Sequence, residues 1–335
     1  MTQVARQSGL FYLGAWLEPL APFLARADVT DIFVNRPEEI WVESLGGAIE
    51  RHDVPALKHV TIERLVRQIA AWSHQGVSRE HPLLAATLPD GSRVQVAMPP
   101  ATRGEIAIAI RRHVSADMTL DEFADEGLFP EASTAPVPPP AQQTWNALRS
   151  AKMNAFLREA VRNRANILVS GGTATGKTTF LNALLREVPG DERLILIEDA
   201  SELKVQRPNL VGLIAARSAL READVSAEDL LIAALRMRPD RIILGEIRGG
   251  EAMTFLRAIN TGHPGSLATI HADSPERAVE QLAMLVLQTG TRLRWEDVVR
   301  YVRSTIDIYV HLDRRAGVRG VAAIITRDEL TSLSE

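Results

Sequence analysis

Residues Gly171–Thr178 of this chain carry two glycines, a lysine and a hydroxyl group at the spacing G-x-x-x-x-G-K-[ST]. Glycines at this spacing let the backbone fold tightly, so that its N–H groups can surround phosphate oxygens. The apolar run Ile167–Val169 comes before the motif and a helix-forming stretch follows it, which is the setting that the motif requires. We therefore interpret it as a nucleotide phosphate loop rather than an ordinary glycine turn. Lys177 would reach the β and γ phosphates, and Thr178 would bind Mg²⁺. The candidate binding residues are Gly171, Gly172, Thr173, Ala174, Thr175, Gly176, Lys177, Thr178 and Thr179.

Charged and polar side chains follow three other apolar runs. Nucleotide sites in open α/β sheets lie beyond the carboxyl ends of the strands, so these side chains would face one cavity if their strands flank the phosphate-loop strand. A carboxylate there can order Mg²⁺ or orient the attacking water, and a histidine can sense the γ-phosphate. The runs and the side chains after them are Leu194–Ile197 with Glu198 and Asp199, Arg241–Leu244 with Gly245, Glu246 and Arg248, and Leu267–Ile270 with His271.

Two questions about these side chains stay open at the level of sequence. Glu246 and Glu198 are both candidates to activate water, and Glu198 is also a candidate metal ligand. His263 comes eight residues before His271 and can equally be a turn residue. Because the chain has no cysteine, this spacing does not resemble a zinc site.

The chain that carries these motifs has 335 residues, no cysteine and a net charge of −4, and 34 of its 38 basic residues are arginine. The absence of cysteine excludes disulfides, thiol nucleophiles and cysteine-built metal sites, and it fits a reducing cytoplasm. No apolar run reaches the roughly 18 residues of a membrane span. We interpret Leu10–Ala25 as a docked N-terminal helix rather than a membrane-surface segment, because it lacks a basic face.

Charge divides the chain into three parts. Residues 1–113 carry 12 acidic and 12 basic residues, and residues 147–335 carry 24 acidic and 26 basic residues. Between them, residues 114–146 carry 6 acidic residues, no basic residue and 5 prolines. We predict an α+β N-terminal domain over 1–113, an acidic, Pro-rich linker over 114–146 and a P-loop domain over 147–335.

Periodicity predicts the elements of both domains. Strand-like apolar runs alternate with helical patterns in the last part, which indicates an α/β fold with a mainly parallel sheet. In the first part, Asp31–Asn35 and Ile40–Glu43 predict a hairpin, and the apolar spacing over Thr61–His74 predicts a helix. Two strand-like runs, Arg93–Met98 and Glu105–Arg111, follow a turn signal.

Taken together, these motifs resemble the secretion and pilus ATPase superfamily. There, the corresponding segments are called the Walker A loop, the Asp box, the atypical Walker B and the His box, and Gly245-Glu246 matches the Walker B form of that superfamily. Within it, the chain is most similar to the hexameric traffic ATPase of type IV secretion systems, the VirB eleven type, over nearly its whole length. The motif segments are Gly171–Thr179, Ile197–Asp199, Leu235–Gly249, Asn260–Ser266 and His271–Ser274.

The resemblance implies a RecA-like P-loop domain and a ring of six subunits that hydrolyses ATP with Mg²⁺. ATP would bind between the two domains of a subunit, where Arg93 and Arg111 of the N-terminal domain would reach its phosphates. Arg248 and His271 would relay the loss of the γ-phosphate. The ring would power assembly of, or transfer through, a bacterial type IV secretion machine. Its location would be cytoplasmic, peripherally associated with the inner membrane, and its partners would be other components of the machine.

Three other functions are weighed against this one. A pilus or type II secretion motor would have the same phosphate site, although the zinc insertion of many type II motors needs cysteines that this chain lacks. A nucleic-acid motor needs a basic surface, and the balanced charges and the acidic linker disfavour specific nucleic-acid binding. A scaffold that binds ATP without hydrolysing it is disfavoured by Lys177, Thr178, Glu198 and Glu246.

Overall fold

The structure, a computed structural model, describes residues 11–112, 121, 152–215, 222–315 and 318–332. The strands of this part form two sheets, one from residues 29–111 and one from residues 167–326. The predicted domain boundaries, and the acidic linker between them apart from Asp121, lie outside the described residues. The division into domains therefore stays a prediction.

The N-terminal sheet is antiparallel, with the strand order β3-β2-β1-β6-β5-β4. The predicted hairpin is present as β1 and β2, whereas the short, half-exposed strands β3 and β4 gave no clear sequence signal. Helix α1, His59–Trp72, buries Ile62 and Leu65 against the sheet. The helical turns of residues 11–24 bury Leu13 in the same core, in agreement with a docked N-terminal helix. The strands are β1 Val29–Arg36, β2 Glu39–Ser44, β3 Ile49–Asp53, β4 Leu83–Thr87, β5 Arg93–Ala97 and β6 Ala107–Arg111.

The C-terminal sheet has the strand order β13-β12-β7-β11-β10-β8-β9. Its strands pair in parallel except for β12 and β13, which form an antiparallel hairpin at one edge. Strands such as β8 are buried along their whole length because helices cover both faces of the sheet. The predicted α/β fold is confirmed. The strands are β7 Ile167–Gly171, β8 Leu194–Glu198, β9 Leu210–Ile214, β10 Arg241–Ile247, β11 Leu267–Ile270, β12 Ile308–Arg315 and β13 Val318–Thr326.

The helices of the C-terminal part lie before, between and after these strands in the chain. No helix among the described residues is long and apolar enough to cross a membrane. The helices are α2 Met153–Arg162, α3 Lys177–Leu185, α4 Ala227–Leu235, α5 Glu251–Asn260, α6 Pro275–Leu287, α7 Trp295–Thr305 and α8 Arg327–Ser332.

Several contacts join the N-terminal part to the C-terminal part, and two of them lie along β9 and just before β8. First, residues 101–103, between β5 and β6, lie along the edge strand β9: Arg103 N donates to Gly212 O at 3.0 Å and Ile214 N to Ala101 O at 2.9 Å. Second, the fully buried Arg193, just before β8, lies over the ring of Phe33 at 4.0 Å.

Arg193 is the centre of what we call the interdomain network, which also contains Phe33, Asn35 and Asn209. Its Nη1 donates to Asn35 Oδ1 at 2.8 Å and to Asn209 Oδ1 at 2.5 Å, and its Nε donates to Met237 O at 3.0 Å. Burial lowers the pKa of Arg193 to about 9, because a charged group is less stable away from water. The network joins β1 to the start of β8 and so fixes the N-terminal sheet against the C-terminal one.

Candidate active site

The phosphate loop runs from the end of β7 to the start of α3. Gly171 has no room for a side chain, since a Cβ there would lie 2.6 Å from Leu312 O on β12. Gly176 has φ +98° directly before the first residue of α3, a backbone conformation that favours glycine. Thr175 Oγ1 donates to Gly172 O at 3.0 Å and closes the loop on itself. The two motif glycines are therefore explained by a close approach and by a left-handed turn.

Lys177 points its ammonium group back into the loop. Nζ donates to Gly171 O at 2.8 Å and to Gly172 O at 3.0 Å, and it lies 3.4 Å from His271 Nδ1. Burial lowers the pKa of Lys177, and the charge of Glu246 opposes this shift. Its acceptors are uncharged carbonyls, which bind an ammonium group more weakly than phosphate oxygens do.

Glu246 and its neighbours Arg248 and His271 lie beside the loop because β11 and β10 are the next strands of the sheet. His271 Nε2 lies 2.6 Å from Glu246 Oε1, and Arg248 Nη2 donates to Glu246 Oε2. Arg248 also donates from Nη1 to Asp199 Oδ2 at 3.0 Å. The structure therefore brings together Lys177, Glu246, Arg248 and His271.

Glu198 is also close, but its carboxylate is buried and fully engaged. Its side chain is 3% exposed, and Oε1 accepts from the amides of Glu202 at 3.0 Å and Leu203 at 2.7 Å. Its Oε2 accepts from Arg103 of the N-terminal part. A Cβ on Gly245 would lie 3.1 Å from Glu198 Cγ, so the glycine before Glu246 leaves room for this side chain.

Glu202 is a site residue that the sequence analysis did not single out. Thr178 Oγ1, the predicted metal ligand, donates to Glu202 Oε2 at 3.3 Å. Among the described residues, no group of three or more histidine or acidic side chains is arranged to hold a metal ion by itself. Mg²⁺ in nucleotide sites takes one or two protein oxygens together with phosphates and water, so the oxygens of Thr178 and Glu202 fit it. The only sequence signal was that Glu202 is the third acid within five residues.

These side chains line one cavity of about 520 Å³, which we call the phosphate-loop cavity. That volume is in the range of small-molecule sites. Arg319 of β13 also lines it and was not predicted, whereas His263 lies at a turn, with Nδ1 3.2 Å from Ala258 O. The lining includes Thr173, Ala174, Thr175, Gly176, Lys177, Thr178, Thr179, Glu198, Asp199, Glu202, Glu246, Arg248 and His271.

Arg93 and Arg111 lie elsewhere in this structure. They are partners across the β5–β6 pairing and line a different cavity, of about 620 Å³, together with Leu235 and Arg236. Among the described residues, the two cavities share no lining residue. The reach of Arg93 and Arg111 to nucleotide phosphates stays a prediction.

Comparisons with known proteins agree with the motifs. Residues 144–315 match the family described as "Type II/IV secretion system protein". The chain is 37% identical to the type IV secretion system protein VirB11 of Bartonella quintana, over 90% of this chain and 89% of that protein. It is 40% identical to the PtlH homolog of Bordetella bronchiseptica, another type IV secretion system protein, over 94% of this chain and 95% of that protein.

A solved structure is similar over the whole chain. The crystal structure of the VirB11 ATPase from the Brucella suis type IV secretion system, in complex with sulphate, covers 99% of both chains with a TM-score of 0.91 at 35% identity. The prediction of the family from the motifs is confirmed. The chain belongs to the type II/IV secretion system protein family, among the VirB11-type ATPases.

Proposed function

We propose that this chain hydrolyses ATP, with Mg²⁺, as one subunit of a six-membered ring in a bacterial type IV secretion system. The observation that carries the proposal is the meeting of Lys177, Thr178, Glu202, Glu246 and His271 around the phosphate-loop cavity. Phosphoryl transfer needs little covalent help from a protein, because it depends on positioning and on charge stabilisation. This cavity provides both positioning and charge stabilisation, through residues from four neighbouring strands or from the loops that follow them.

Lys177 and the loop amides hold the β and γ phosphates in this proposal. The ammonium group exchanges its carbonyl acceptors Gly171 O and Gly172 O for phosphate oxygens, which form stronger, charge-assisted hydrogen bonds. Arg248 and His271 lie on the side of the γ-phosphate. There they stabilise the charge that develops during transfer, and they respond to the loss of the γ-phosphate.

Glu246 is the residue that we assign to the attacking water. Its contacts with Arg248 and His271 are with side chains of the cavity, so it can turn towards a water molecule when those two side chains meet the γ-phosphate. Glu198 has both oxygens engaged by amides and by Arg103, so we assign it a positioning role. Glu198 would hold the segment that carries Glu202.

Thr178 and Glu202 are the residues that would hold Mg²⁺. When bound, the ion would neutralise charge on the β and γ phosphates. The secretion machine as partner is supported by the names of the relatives. The ring and a cytoplasmic location at the inner membrane are implied by the family resemblance and are part of the proposal.

Lys177→Ala tests the assignment, with Lys204→Ala as a matched control on an exposed lysine that is not in the cavity lining. We expect Lys177→Ala to lower ATP turnover by at least about 10²-fold while the melting temperature stays within a few degrees, because one phosphate-binding cation is lost. Lys204→Ala should leave turnover unchanged. Near-normal turnover in Lys177→Ala would refute the proposed function.

Native mass measurement with and without ATP tests the ring separately, and a species that stays monomeric with ATP would refute the ring.

A further inference from the structure

Arg319 of β13 lines the phosphate-loop cavity but has no role in the mechanism above. It lies opposite Arg314 in the β12–β13 hairpin, which continues beyond β7 because Leu312 pairs with Gly171 at the end of that strand. The Cδ of Arg319 lies 4.0 Å from the position that a Cβ on Gly176 would take. Its side chain therefore extends over the backbone of the phosphate loop.

The order of the sheet decides which end of a nucleotide faces Arg319. Glu246, His271 and Glu198, on or just after β10, β11 and β8, all lie on one side of β7, and β12 and β13 lie on the other. The loop after β7 holds the phosphate chain, and the γ-phosphate must point towards Glu246. The opposite end of the nucleotide, which carries the base, then points towards the hairpin and Arg319.

Arg319 also differs from Arg248 in how it is held. Arg248 donates to two carboxylates, Glu246 and Asp199. The exposed Arg319 side chain makes no hydrogen bond or ion pair with any other part of the chain that the structure describes. A guanidinium group without such a partner loses no ion pair when a ligand approaches it.

The lining of the cavity restricts what can hold the base. No aromatic side chain lines it within the described ranges, and the other guanidinium group, of Arg248, lies on the γ side. Purine faces are commonly held by aromatic rings or by planar guanidinium groups. We propose that Arg319 binds the purine base of the nucleotide by stacking its guanidinium plane on the ring, an inference that rests on the proposed function.

Stacking on the face of a ring has consequences that a phosphate contact would not have. The face of a purine is similar in adenine and guanine, so the contribution of Arg319 to ATP and GTP binding is about equal. It is absent for a ligand without a base, such as inorganic tripolyphosphate. Because the base is remote from the γ-phosphate, Arg319 changes binding and not the chemical step.

The test compares Arg319→Ala, Arg319→Lys and the hairpin control Arg314→Ala, which removes an equal charge from an exposed residue opposite Arg319 that is not in the cavity lining. We expect Arg319→Ala to raise the KM for ATP and for GTP about tenfold, with kcat within about twofold. The inhibition constant of tripolyphosphate should stay unchanged. Arg319→Lys should behave like Arg319→Ala, because lysine keeps the charge but has no planar group.

Each other outcome overturns the proposal. An unchanged KM in Arg319→Ala shows that Arg319 does not bind the nucleotide. A tripolyphosphate inhibition constant that rises with the KM, or a normal KM in Arg319→Lys, indicates a contact with phosphate instead of the base. An equal effect of Arg314→Ala indicates a general effect of hairpin charge. If the wild-type protein hydrolyses ATP and Lys177→Ala does not, any of these results leaves the proposed function intact.

Discussion

Arginines occupy both the interdomain network and the phosphate-loop cavity, but under opposite conditions. Arg193 in the network is fully buried, and its acceptors are neutral oxygens of Asn35, Asn209 and Met237. In the cavity, the Arg248 side chain is 43% exposed and is bonded to the carboxylates of Glu246 and Asp199. The first arrangement has no access to water, whereas the second lies where a ligand and water can enter.

This difference indicates how one chain keeps some charges fixed and others exchangeable. A buried cation with several neutral acceptors is costly to disturb, because any partner left alone loses a hydrogen bond without gaining water. A half-exposed ion pair is weak in high dielectric, so its members can exchange partners at small cost. The network is therefore expected to determine stability and the cavity is expected to determine turnover.

The largest expected effect separates two carboxylates of the cavity. Glu246→Gln should lower kcat by about 10²- to 10⁴-fold, because an amide cannot accept a proton from water. Glu198→Gln should change kcat by less than about tenfold, since the Glu198 carboxylate is engaged by Arg103 and two amides. Steady-state ATPase assays on both variants make the comparison. If Glu198→Gln lowers kcat as far as Glu246→Gln, Glu198 has the catalytic role and our assignment is wrong.

The next effect is on stability and belongs to the network. Arg193→Met should lower the free energy of unfolding by about 3–5 kcal/mol, because it leaves Asn35 Oδ1 and Met237 O without this donor and Asn209 Oδ1 with only the amide of Asn35. Urea unfolding measures this change. The exposed Arg186 provides the control, since Arg186→Met should change stability by less than about 0.5 kcal/mol. A loss below about 1 kcal/mol in Arg193→Met would mean that the network does not hold the two sheets together.

A smaller loss of stability is expected from Arg103, which reaches from the N-terminal part to the Glu198 carboxylate beside the phosphate-loop cavity. Arg103→Ala removes the cationic partner of the buried Glu198 carboxylate and should cost about 1–3 kcal/mol of stability. The double variant with Glu198→Gln should cost less than the sum of the two single variants, because a neutral amide no longer needs the cation. Additive losses, measured by the same urea unfolding, would show that Arg103 and Glu198 do not interact.

The smallest expected effect is a pH dependence of stability, which comes from His311 beside the strand that leads into the phosphate loop. Burial lowers the pKa of His311, whose Nδ1 lies 3.0 Å from Ser170 Oγ on β7. Above pH about 6.5 the imidazole is neutral in both states, but below it the unfolded chain takes up a proton that the folded chain resists. Stability should therefore fall by up to about 1 kcal/mol as the pH drops from 7.5 to 5.5. His311→Gln should reduce this dependence of stability on pH, and His81→Gln, at an exposed position, should not. An equal dependence in the wild-type protein and both variants would contradict the prediction.

Sequence patterns predicted the parts of the molecule whose structure is determined by residues close together in the chain. The phosphate loop, the hairpin of β1 and β2 and most strands of the C-terminal sheet each lie within one short segment of sequence. Strand β9 gave no clear signal, because Gly212 interrupts its apolar run and Pro208 comes just before it.

Residues that act through distant contacts were not predictable from such patterns. Glu202, Arg319 and Arg103 reach the cavity or its carboxylates only because the sheets place them there. Their spacing carries no information about that position. For the same reason, the sequence could not indicate that Arg93 and Arg111 line a separate cavity.

Gly212 of β9 has a consequence for how this protein can change over evolutionary time. A Cβ at position 212 would lie 2.2 Å from Arg103 Cδ, so any side chain there collides with the path that Arg103 takes towards Glu198. Which residues are tolerated at position 212 therefore depends on the residue at position 103, and the reverse also holds. In an alignment of relatives, we expect positions 103 and 212 to covary: where position 103 has a long cation, position 212 should stay glycine, and where position 103 is short, position 212 is free to drift.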